Sequence, residues 1–197
     1  MANINRVNGF SPVRMLSGAP WNGATMKCSK AAGTTVTHDL MVGDLVIFSA
    51  TADARGYPGV IRATAGDAQP AVGVITGFEP NPDHLDRAGW VDGADAAIVH
   101  VCVDPMVVYE AQADEAVEVT SVGLNLNMVQ TSAGSRVGSG CSGQQVDGTI
   151  GSSLATWQLK LIGFPDRPDN AVNALYNKVL VIINNHIFKG HTGTAAI

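Results

Sequence analysis

Val42-Gly43-Asp44-Leu45-Val46-Ile47-Phe48 decides how this chain is read. Leu45 to Phe48 form a run that reads as a strand, and Gly43 permits the tight turn by which the chain enters it. Asp44 stands where its carboxylate can bond the backbone at the strand start. Working outward, residues 60–64 and 71–78 are further strand-like pieces, separated by Ala65-Gly66-Asp67. Short apolar pieces at hairpin spacing predict a meander or barrel, since parallel β-α-β units need a helical crossover between strands.

The rest of the chain keeps this character. Residues 79–89 hold two prolines, Pro80 and Pro82, which remove ladder donors and predict a loop leaving the sheet. Residues 96–103 and 106–111 make the next strand pair, with Asp104-Pro105 at the corner. Residues 117–129 fit either a partly alternating strand or a short helical turn. Ser and Gly dominate 131–151, which predicts a loop or a flap ordered by a partner. Trp157-Gln158-Leu159-Lys160-Leu161 alternates strictly, the pattern of a strand with one wet face. Residues 165–177 are a long connection, and 178–184 are apolar on both faces, as in a central strand. Residues 1–34 carry the turn dipeptides Asn8-Gly9, Ser11-Pro12, Ala19-Pro20 and Asn22-Gly23 and are expected to be an extended arm. Helical periodicity is nowhere sustained over ten residues. The expected class is all-β, with an arm over 1–34, one β-domain with a single core over 35–188 and a tail over 189–197.

Composition narrows the function. Charged residues are only 15% of the 197, against roughly 25% in an ordinary soluble domain. Much of the surface must therefore be uncharged, which suits burial against neighbours. The net charge of −5 is unevenly spread. Residues 1–38 carry Arg6, Arg14, Lys27 and Lys30 and no acid, residues 170–197 carry Lys178 and Lys189 and no acid, and all 17 acids lie between. Basic ends on an acidic body can dock on an acidic neighbour, including another copy. Four cations spread over the arm are too dilute for a nucleic-acid face. Cys28, Cys102 and Cys141 are odd in number and widely spaced, so neither a disulfide framework nor a C-x-x-C site follows from them. The first ten residues lack the apolar region of a signal peptide, and the apolar run 179–183 is far shorter than the ~18–20 residues of a membrane helix. Assembly in a reducing cytoplasm, without a membrane, is expected.

Candidate chemistry is thin. His100 and Cys102 share a strand face, yet they sit in Ile-Val-His-Val-Cys-Val, a core environment rather than an exposed electropositive niche. His38-Asp39 has no further partner in sequence. Gly138-Ser139-Gly140-Cys141-Ser142-Gly143 meets neither the nucleophile-elbow nor the phosphate-loop pattern. His186 with His191, and Asp83 with His84 and Asp86, lack the regular spacing of metal ligands. Asn184-Asn185-His186 are expected to bond nearby backbone as the chain leaves its strand. No catalytic residue, metal or cofactor is expected.

A set of stretches resembles a family of structural proteins from tailed-bacteriophage heads. They are 6–13 (Arg-Val-Asn-Gly-Phe-Ser-Pro-Val), 18–23, Val42-Gly43-Asp44-Leu45-Val46 and 73–80 (Gly-Val-Ile-Thr-Gly-Phe-Glu-Pro). Further matches are Asp104-Pro105 with Tyr109-Glu110, Val122-Gly123-Leu124-Asn125, Arg167-Pro168-Asp169-Asn170 and Ile183-Asn184-Asn185-His186. The resemblance is to capsid cement, or decoration, proteins. It implies a single jelly-roll or tulip-like β-barrel or sandwich that binds the outer surface of the mature shell as a small homo-oligomer. A trimer is expected, with a dimer as rival, and the major capsid protein is the implied partner. On this reading Arg6, Phe10, Arg14 and Trp21 of the arm reach a capsid subunit or a sister copy; the other reading of Trp21 is packing against its own barrel. The alternatives are a carbohydrate- or receptor-binding β-sandwich module, which would show exposed aromatics on loops, and an enzyme.

Overall fold

The computed structural model describes residues 3–33, 39–66, 69–130, 134, 140–149 and 155–189. The described strands, in chain order, are β1 (Ser11–Met15), β2 (Met26–Lys30), β3 (Leu40–Met41), β4 (Leu45–Ala52), β5 (Pro58–Arg62), β6 (Gly73–Phe78) and β7 (Trp90–Val91). They continue as β8 (Ala97–Cys102), β9 (Val107–Gln112), β10 (Asn125–Leu126), β11 (Met128–Gln130), β12 (Gln144–Val146), β13 (Leu159–Gly163) and β14 (Lys178–Ile183). Two single turns of 3-10 helix, Val119–Ser121 and Ile187–Lys189, complete the described elements. The protein is all-β.

Strands β2, β5, β4, β6 and β8 close into a barrel in that order, and β1, β9, β14, β13 and β10 form a second, five-stranded sheet. The pairs β11–β12 and β3–β7 are short ribbons. Every described strand pairing is antiparallel except that of β2 with β5, whose single bridge, Ser29 to Gly59, closes the barrel. On its other side Gly59 lies tight against β4, where a Cβ would be 2.5 Å from the Thr51 carbonyl oxygen.

Residues 42–48 explain the architecture. Side chains alternate across a strand, and in β4 both faces are covered. Val46 and Phe48 face the barrel interior with Cys28, Val60, Ile75, Val99 and Val101. Leu45 and Ile47 face outward into a second core with Val74, Cys102, Tyr109, Leu159, Leu161, Val179, Val181 and Ile183. The five-stranded sheet thus packs on the outside of the barrel. Two cores replace the single one expected, because β4 and β8 place alternate residues in each. Strand β14 lies at the centre of its sheet, as its apolar run predicts.

The expected free arm needs correction. Residues 11–15 pair with β9 and residues 26–30 with β8, so most of the described arm is part of the body. Phe10 is 2% exposed and belongs to the core between barrel and sheet. Its backbone N–H donates to the Gly43 carbonyl at 2.9 Å. Gly9 (φ 67°) and Gly43 (φ 91°) meet here; a Cβ on Gly9 would lie 2.5 Å from that same carbonyl oxygen. Within the Ser/Gly-rich stretch, residues 140–149 are packed rather than a loose flap: β12 is fully buried and pairs with β11. Residues 131–133, 135–139, 150–151 and the tail after Lys189 lie outside the described residues.

Two buried titratable groups respond to acid in opposite senses. Burial raises the Asp44 carboxyl to about 6 from its ordinary 3.8, outweighing the hydrogen bonds from Ser142 and Met41 that favour its ionised form. Its contribution to stability is therefore full below pH 3.8 and lost as pH rises through 6. Burial lowers the His186 imidazole to about 4 from 6.5, so its contribution is present above pH 6.5 and lost as pH falls through 4. Each is on the order of 3 kcal/mol, and they offset one another. Asp44→Asn should steepen the loss of stability between pH 6 and 4 relative to wild type, and His186→Asn should flatten or invert it; urea midpoints across that window measure both. Phe10→Ala should cost about 3–5 kcal/mol in the same assay, a loss that an external arm would not produce.

Candidate interaction surface

Of the groups that sequence offered for chemistry, Cys102 and His186 are sealed, His84, His100 and Cys141 are half-buried, and Asp83 and Asp86 are exposed. His100 and Cys102 do lie on β8, but the Cys102 thiol is fully buried and accepts from the Tyr109 hydroxyl at 3.3 Å. Burial raises its pKa and, to about 11, that of Cys28. A thiol held protonated is a poor nucleophile. His186 is 1% exposed, and its Nδ1 accepts from the Phe188 N–H at 3.1 Å, which fixes the neutral tautomer. No group of three or more His, Cys, Asp or Glu that could hold a metal occurs among the described residues. His38, His191 and residues 138–139 lie outside them.

A cleft of about 430 Å³ opens at one end of the barrel between the 79–89 loop and the end of β2. Phe78, Glu79, His84, Arg87, Trp90 and Asp95 help line it. Lys30 seals the barrel beside it: the residue is 1% exposed, and its ammonium donates to the carbonyls of Gly93 at 2.9 Å and Asp95 at 2.7 Å. Two ion pairs lie at the rim. Lys27 pairs with Glu79 at 2.5 Å and Arg87 with Asp95 at 2.8 Å. The Arg87 guanidinium also sits 4.7 Å from the centre of the Trp90 ring. Trp90 lies in β7, 9% exposed, with a cation stacked over it. It offers a sugar no open ring face.

The four expected contact residues divide. Phe10 is core, and Trp21 is half-buried, packed against the core between barrel and sheet with its indole directed at the Cys102 sulfur. These two anchor the N-terminal segment to its own chain. Arg6 is exposed and Arg14 half-buried on β1, and neither has an ion pair among the described residues. Both are available to a partner.

Sequence reasoning did not find the exposed apolar groups around them. Val13, Leu16 and Met106 are each more than a third exposed along the β1 edge of the sheet, where Leu16 N donates to Met106 O at 2.7 Å. This edge is guarded against strand addition by Pro12, by a bulge between Pro12 and Arg14, and by the bridge from Arg14 to Pro20. Ile4, Val119, Val172 and Leu175 form a second exposed group. Isolated apolar residues in loops carry no signal by themselves; only the folding of distant segments together makes a patch.

Thiol labelling of the native protein tests the sealing. Cys141, half-exposed, should react with a small maleimide, while Cys28 and Cys102 should react only on unfolding; fast modification of Cys102 in the native state would contradict its burial. No protein-family model, no curated protein and no solved structure matches the chain.

Proposed function

We propose that this protein is a capsid cement protein of a tailed bacteriophage, a non-enzymatic component of the virion that binds the outer surface of the mature shell and bridges capsomers. One observation carries the reading: the Cys28 and Cys102 thiols and the His186 imidazole are buried, while Val13, Leu16, Met106, Arg6 and Arg14 lie exposed or half-buried along the N-terminal segment, β1 and the turn after β8. Such a surface supplies adhesion rather than turnover. A shell filled with DNA fails at the seams between capsomers, and a molecule bound across a seam adds a binding free energy that rupture must overcome. Many modest contacts repeated over a shell sum through multivalency.

The adhesive elements on this reading are Arg14, which pairs with a carboxylate of the major capsid protein, and the Val13, Leu16 and Met106 edge, which covers apolar area. Arginine suits this role because its planar fork holds a carboxylate by two hydrogen bonds. The sugar-binding alternative loses its main support with Trp90 capped by Arg87.

Emptied heads of the cognate phage, prepared without this protein, provide the test. The purified protein should co-sediment with them to saturation and raise the temperature at which filled heads release DNA. Arg14→Ala and Met106→Asp should each weaken binding by about five- to tenfold with the thermal midpoint of the isolated protein unchanged. Failure to bind such heads removes the proposal, and binding on a glycan array would favour the carbohydrate module instead.

A further inference from the structure

The second apolar patch is assembled from three distant segments, and its construction is specific. Asn3 bonds the loop that follows β13 at both ends: its Nδ2 donates to the carbonyls of Ala171 at 2.9 Å and Leu175 at 3.0 Å, and its Oδ1 accepts from Ala171 N at 2.7 Å. Asn173 at the loop tip accepts from Val119 N at 2.8 Å. Asn170 pins the loop base through the Lys178 N–H at 2.7 Å and carbonyl at 3.0 Å, and buried Asn177 holds the Val117 carbonyl at 2.7 Å. Within this frame Asn173 and Tyr176 both adopt φ 60°, a conformation that costs a bulky residue such as tyrosine most. What the frame holds outward is apolar. Ile4 is 77% exposed, Leu175 59%, Val119 54% and Val172 39%.

Charge borders the patch with opposite signs. Glu118 adjoins Val119, with Glu115 close by in the same turn, and both are exposed. Arg6 is exposed on the Asn3 side, where its backbone N–H donates to Gln112 Oε1 at 2.7 Å. Neither Arg6 nor Glu118 has an ion pair among the described residues. A surface with an apolar centre, an acid on one flank and a base on the other is complementary to itself when turned by half a revolution. In such an isologous contact Arg6 of each copy meets Glu118 of the other, while Ile4 and Leu175 pack across the axis.

We propose that two copies of this chain associate through this patch as a two-fold dimer. The occupant is a second copy because both halves of the required charge pair are present on one chain, flanking the same apolar centre. The inference is independent of what the β1 edge binds, so it goes beyond the cement reading.

Analytical ultracentrifugation of the full chain, up to about 200 µM because small interfaces of this kind bind weakly, is the test. Wild type should move toward the mass of two chains, and Leu175→Asp should remain a single chain with unchanged thermal midpoint. Arg6→Glu and Glu118→Arg should each weaken association by about tenfold, and the double variant should recover it to within about threefold. A wild-type protein that stays monomeric, a mass of three chains, or a double variant no better than the singles overturns the dimer. Loss of shell binding with the dimer intact counts against the cement reading alone, and loss of the dimer with shell binding intact counts against this proposal alone.

Discussion

The carboxylate of Asp44 holds together the seam on which both cores depend. Its Oδ2 accepts from Met41 N at 2.8 Å and its Oδ1 accepts from the Ser142 hydroxyl at 2.5 Å. The chain around it bonds in every direction: Ser142 N to Val42 O at 3.0 Å, Gly43 N to Ile75 O at 2.8 Å and Phe10 N to Gly43 O at 2.9 Å. One residue on, Leu45 N donates to Gln144 Oε1 at 2.6 Å, and Gln144 Nε2 reaches Ala63 O at 3.2 Å. Asp44, Ser142 and Gln144 are all essentially buried. Buried polar groups cost free energy unless satisfied, typically about 1–3 kcal/mol when a partner is lost, so these segments either assemble together or not at all.

From that seam the rest follows. The N-terminal segment is fastened at Gly9 and Phe10, the turn into β4 is set by Gly43, and the 142–144 stretch is drawn in to cover the joint. The barrel then closes on one side of β4 while the sheet packs on the other. Because β4, β6 and β8 bury both faces, Cys28, Cys102 and His186, which lies just past β14, end up where desolvation holds them uncharged.

Outside, the same economy of charge has the opposite consequence. Two acid–base pairs close across the barrel mouth, while Arg6, Arg14 and Glu118, near the apolar groups, have no ion pair among the described residues. Loop 171–176 is held in strained backbone by three asparagines, Asn3, Asn170 and Asn177, rather than relaxed over those side chains. Surfaces presented in a fixed geometry lose less freedom on contact.

The sequence alone determined the class and most strands: 45–48, 71–78 and 178–184 announce themselves because a contiguous apolar run between turn residues has few other solutions. It also determined that no regular metal or nucleophile pattern is present. Strands β2 and β12 were illegible for a physical reason, namely that inward positions are filled by Lys30 and Gln144, whose polarity is satisfied only by Gly93, Asp95, Leu45 and Ala63 from elsewhere in the chain. The role of residues 3–30 likewise waited on tertiary structure, because turn dipeptides specify where a chain bends and not what it bends against. Of the contact residues chosen from sequence, the arginines lie free while Phe10 and Trp21 are claimed by the core. An exposed patch of Ile4, Val119, Val172 and Leu175 exists only after folding, since each is an unremarkable loop residue until hydrogen bonds from Asn3 and Asn173 bring their segments together.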